Sequence, residues 1–77
     1  MEISVLFFGQ LAELTGTNRI AFMDVPDTDV LHQLVKERFP QLHKQRFATA
    51  VNRKIITKKT PLSAATEVAL LPPFSGG

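Results

Sequence analysis

Polar and apolar residues alternate at the start of the chain before giving way to an unbroken apolar run, Glu2-Ile3-Ser4-Val5-Leu6-Phe7-Phe8. A period of two predicts a strand over residues 2–8 with Ile3, Val5 and Phe7 on one face. That face is expected to meet the core, because the other begins with Glu2 and Ser4, which favour water. Leu6 and Phe8 are then apolar side chains on an outer face, a pattern that marks contact with another molecule. Gly9 breaks the run, Leu11 and Leu14 stand at helical spacing between Gln10 and Thr15, and Gly16 is a helix-stopping glycine. Arg19 to Met23 alternates again, with Ile20 and Phe22 on one side, and the tight link predicts an antiparallel pair with the first strand.

A turn around Pro26, with Asp27 or Thr28 as N-cap, opens a helix expected over residues 28–39. Val30, Leu31, Leu34 and Val35 form an i, i+1, i+4, i+5 stripe facing the sheet, and Pro40 ends the helix. The turn and the cap also account for Asp24, Asp27 and Asp29, whose spacing lacks the further ligands of an EF-hand loop. Residues 47–52 predict a third strand, Asn52-Arg53-Lys54 a turn, and residues 55–57 a brief return strand. Leu62 is expected to pack under the loop leading to a last strand from Glu67, which has Val68 and Leu70 on one face and Ala69 and Leu71 on the other. This order gives a single α+β domain over residues 1–77, a mixed sheet with one main helix packed on one face. First and last strands must lie close to complete the core, which gathers Leu6, Phe8 and Leu71 into one exposed apolar surface.

Composition narrows the chemistry. Seventy-seven residues allow one modest core, and the absence of cysteine excludes disulfides, thiolate metal sites and cysteine persulfides. No apolar run approaches the roughly 18 residues of a membrane span, and the N-terminus lacks the basic-then-apolar order of a signal peptide. A cytoplasmic protein with no membrane partner is expected. Eight of the nine basic residues lie between Lys36 and Lys59, where Glu37 is the only acid. This basic half reads as a solvated face. The chain has no tyrosine or tryptophan, and no phenylalanine lies among Arg53, Lys54, Lys58 and Lys59, which argues against a nucleic-acid partner. His32 and His43 have no partner at ligand or triad spacing and read as solvated or edge histidines. With no nucleophile-base pair, metal cluster or phosphate loop, the chain is not expected to be an enzyme on its own or to bind a cofactor.

The chemistry instead points to the end of the chain. After the apolar run Val68-Ala69-Leu70-Leu71, Pro72 and Pro73 offer no amide hydrogen to a sheet ladder and hold the backbone extended. Phe74, Ser75, Gly76 and Gly77 follow, and the two side-chain-free glycines fit a channel too narrow for other residues. Residues 72–77 are therefore expected to form an extended, flexible tail that carries the terminal carboxylate into another protein.

The opening Val5-Leu6-Phe7-Phe8-Gly9-Gln10-Leu11-Ala12-Glu13-Leu14-Thr15-Gly16, the Ala50-Val51-Asn52 strand end and the closing Glu67 to Gly77 resemble the small subunits of molybdopterin synthase, in the ubiquitin-like MoaD/ThiS sulfur-carrier family. The Pro-Pro-x-Ser-Gly-Gly ending and the Phe-Phe-Gly opening are its most specific parts. The resemblance implies a ubiquitin-like β-grasp fold and a carrier whose Gly77 is adenylated by an ATP-using activating enzyme and converted to a thiocarboxylate. It further implies that this tail enters the large synthase subunit, in a heterotetramer, and gives sulfur to cyclic pyranopterin monophosphate in molybdenum cofactor biosynthesis. The groups driving catalysis are expected in that large subunit, with Leu6, Phe8 and Leu71 at the interface. The chain departs from the family pattern at Ser63-Ala64-Ala65-Thr66, where members commonly place a Gly-Asp or Asp-Gly turn, and at Leu71, where phenylalanine is often found. A thiamine-type sulfur carrier and a ubiquitin-like modifier of protein lysines are the alternatives.

Overall fold

The apolar patterns condense into a twisted five-stranded sheet with its long helix on one face in the computed structural model, which describes residues 2–63 and 66–73. In chain order the elements are β1 (Glu2–Phe7), α1 (Gln10–Thr15), β2 (Arg19–Met23), α2 (Thr28–Arg38), a 3₁₀ turn (Pro40–Leu42), β3 (Ala48–Val51), β4 (Lys54–Ile56) and β5 (Glu67–Leu71). Across the sheet the strands run β2-β1-β5-β3-β4. β1 and β5 are parallel, and the other neighbours are antiparallel. This is the mixed sheet of a ubiquitin-like β-grasp, with the last strand placed centrally between the first and the third.

The core is the face expected from periodicity. Ile3, Val5, Val68 and Leu70 are fully buried beneath Leu31 and Val35 of α2, while Val30 and Leu34 pack at the margin. The α2 helix starts where the sequence places its cap: Asp27 Oδ1 accepts a hydrogen bond from the Val30 amide at 2.9 Å. Asp29 in the first turn and Lys36 and Arg38 in the last complement the helix dipole. At the other short helix, Gly16 adopts a left-handed conformation (φ 76°) and donates its N–H to the Ala12 carbonyl at 2.9 Å.

Several boundaries move, each for a local reason. The long helix ends at Arg38, because Phe39 precedes Pro40 and is pushed out of helical geometry (φ −126°, ψ 79°). Pro40 then begins a 3₁₀ turn that buries Leu42 completely, a core residue the helical stripe did not reveal. The first strand stops at Phe7, because Gly9 turns the chain (φ 57°, ψ −135°). The third strand is shorter than expected at both ends, starting at Ala48 and ending at Val51. The turn after it contains only Asn52 and Arg53, both with positive φ (48° and 71°), as the twist of a two-residue hairpin demands. Lys54 therefore belongs to the return strand, and Thr57 does not.

Before β5, Leu62 is buried, and the Thr66 hydroxyl donates to the Ser63 carbonyl at 2.6 Å while accepting from the Ser63 amide at 3.1 Å. A threonine side chain thus ties the ends of this loop. Ala64 and Ala65 lie outside the described residues.

Candidate functional site

Where β5 ends, its last ladder partner is Ala48, opposite Leu71. Pro72 and Pro73 follow without amide hydrogens, so the pairing cannot continue through them. Pro72 is half-buried against Gly9: a Cβ on Gly9 would stand 2.9 Å from Pro72 Cγ, so the bare glycine makes room for the ring. The two ends of the Phe-Phe-Gly and Pro-Pro signatures therefore meet. The Phe8 amide also donates to the Leu70 carbonyl at 3.1 Å, stitching the same corner. Phe74, Ser75, Gly76 and Gly77, where the reacting end was placed, lie outside the described residues; Pro73 is exposed.

Beside that corner lies the outer sheet face. Residues directly opposite one another share a face, so Ile55, Ala50, Ala69, Leu6 and Arg19 form one row across all five strands. Ala48 and Leu71 lie in the adjacent row, toward the tail. Leu6 and Leu71 are half-exposed and Phe8 is 44% exposed, so the structure brings the three expected residues to one side of the tail root. Two large apolar side chains on this side were missed, Ile55 (52% exposed) and Met23 (60% exposed). Ile55 and Ile56 are adjacent in a three-residue strand, and only the two-residue turn decides which of them faces outward. Met23 could have been found, because it shares parity with Arg19 and Ala21, opposite the Ile20 and Phe22 face. The alanines between these residues keep the middle of the face flat.

His32 is an edge histidine: half-buried on α2, it shares a 2.9 Å hydrogen bond between Nε2 and Thr49 Oγ1 of β3, a partner 17 residues away. Its ring meets the Phe47 ring edge-on at 5.6 Å. Burial lowers its pKa below the ordinary 6.5; Lys36 adds to the shift and Asp29 opposes it. His43 is exposed, as expected. Among the described residues no three metal-ligating side chains converge, and no helix is long and apolar enough to cross a membrane. Chemically, the described residues offer an apolar outer face beside two prolines that stiffen the chain after β5.

Residues 5–77 match the model of the ThiS family. The chain is 34% identical to the molybdopterin synthase sulfur carrier subunit of Escherichia coli, over 97% of this chain and 99% of that one. Among solved structures it is similar to a chain in the complex of subunits 1 and 2 of molybdopterin-converting factor from Helicobacter pylori, with a TM-score of 0.74, 26% identity and full coverage of both chains. It is also similar to the small archaeal modifier protein 1 of Methanosarcina acetivorans, with a TM-score of 0.76 and 26% identity over 99% of this chain and 96% of that one.

Proposed function

The chain belongs to the ThiS family, and from that premise we propose that it is the sulfur carrier subunit of a molybdopterin synthase. The observation that carries this reading is the end-to-end likeness to the sulfur carrier subunit of Escherichia coli, in a chain whose β5 runs into Pro72-Pro73 and ends on Gly76-Gly77.

Because the chain has no cysteine, sulfur is held elsewhere. The Gly77 carboxylate attacks the α-phosphorus of ATP in the activating enzyme, releasing pyrophosphate. A carboxylate is a poor electrophile, whereas its mixed anhydride with AMP has a good leaving group. A sulfur nucleophile supplied by a partner displaces AMP and leaves a thiocarboxylate on Gly77. The outer face, with Leu6, Phe8 and Leu71, docks on the large subunit, and residues 72–77 reach its active site. There the thiocarboxylate delivers sulfur to cyclic pyranopterin monophosphate, and two such transfers complete the dithiolene of molybdopterin. Each subunit of the large partner receives one carrier, which gives a heterotetramer. The groups that promote transfer belong to the large subunit.

Likeness to a small archaeal modifier protein favours a second reading, in which the same activated Gly77 forms an isopeptide bond with a protein lysine. Intact mass spectrometry of the full chain, after incubation with ATP, an activating enzyme and a sulfur donor, tests the first reading. The expected result is the mass gain of one oxygen replaced by sulfur, absent from a Gly77 deletion. No gain with an enzyme that thiolates another carrier would overturn it, and lysine-linked conjugates in cells would support the modifier.

A further inference from the structure

Two clefts beside α2 share His32, Phe47, Ala48 and Thr49 in their linings, so they join into one groove. Its floor belongs to the core-side face of β3 and β4, where Thr49 stands opposite Ile56 on one side and the buried Leu70 on the other. His32 closes the α2 side by its hydrogen bond to Thr49. The groove therefore lies on the other side of the sheet from Leu6 and Leu71.

Its charge sits at the two ends. Lys36 and Arg46 line one end and Lys58 and Lys59 the other, while Asp29 is the one acid in the lining. None of the four cations forms an ion pair among the described residues. Lys36 Nζ stands 5.8 Å from the centre of the Phe47 ring, a contact that holds the ammonium at the groove without neutralising it. Between the ends the floor is partly apolar, with Phe47, Ala48 and Ile56 half-buried.

We propose that this groove docks a short acidic segment of a partner protein, with carboxylates at the two cationic ends and an apolar side chain over Phe47 and Ile56. Charge complementarity selects the occupant: unpaired cations flanking an apolar floor match carboxylates flanking an apolar residue. A nucleic acid fits less well, because the one phenylalanine ring in the lining is already engaged by Lys36 and His32 and Asp29 repels phosphate. The site is separate from the outer apolar face, so both can be occupied at once.

Amide NMR of the full ¹⁵N-labelled chain tests this, with the peptide acetyl-Glu-Glu-Leu-Glu-Glu-amide titrated to about 5 mM at low salt. Saturable shifts centred on His32, Phe47, Thr49 and Lys58 are expected, and none with the counterpart peptide in which glutamine replaces each glutamate. Lys36→Gln/Lys59→Gln, which removes one cation from each end, should weaken binding about fivefold. Arg19→Gln/Arg53→Gln removes the same charge outside the groove and should match wild type; the amide spectra of both variants report that they fold. No binding, shifts scattered over the surface, equal weakening by the two variants, or equal binding of the glutamine peptide would each overturn the proposal. Tighter binding of a single-stranded thymidine decamer in the same groove would overturn it in favour of a nucleic acid.

Discussion

Burial against Phe47 keeps the His32 imidazole neutral in the fold, with its pKa below 6.5 and Lys36 adding to the effect. The unfolded chain takes up a proton first as pH falls. Stability is therefore complete above the unfolded value and declines as pH drops through 6.5 toward the folded one. Thermal melts between about pH 7.5 and 5.5 should show this decline, and His32→Gln, which can still reach Thr49, should flatten it. An unchanged slope would assign the loss to other groups. Arg53 is held at φ 71°, where a side chain crowds its own backbone. Arg53→Gly is expected to stabilise the protein by about 0.5–1 kcal/mol in urea unfolding, since the two-residue turn then becomes Asn-Gly. The Asp27 cap was legible because it acts three residues away, whereas the His32–Thr49 bond joins residues 17 apart and leaves no local trace.

At the scale of elements, β5 carries the fold on one face and the proposed docking surface on the other. Leu70 is fully buried, and Leu71, its neighbour, is half-exposed on the outer side. Leu70→Ala should lower unfolding free energy by about 2–5 kcal/mol, whereas Leu71→Ala should cost under about 1 kcal/mol. The binding pattern should invert: Leu71→Ala and Phe8→Ala are expected to weaken association with a large synthase subunit more than they lower the melting temperature. Calorimetric binding and urea melts on the same proteins check this, and similar stability losses at Leu70 and Leu71 would contradict the assignment of faces. Period two made those faces readable from the sequence. It was silent on Ile55, because a three-residue strand with two adjacent isoleucines carries no phase of its own.

For the whole molecule, the fold and the proposed chemistry are separable. Among the described residues the core lies within β1 to β5, and Gly77 comes six residues after Leu71 in the sequence. Deleting Gly77 should leave the melting temperature unchanged while abolishing sulfur transfer in a reconstituted synthase; retained transfer would rule out the terminal carrier mechanism. The sequence by itself determined the order and kind of the elements and the main core positions. These rest on periodicity, caps and proline chemistry, which act over a few residues. Only the tertiary structure decided that β5 inserts between β1 and β3, that Ile55 stands opposite Ala50, and that Leu42 fills the core. Each depends on pairing between segments distant in the chain, where a slip of one residue would exchange the faces of a whole strand.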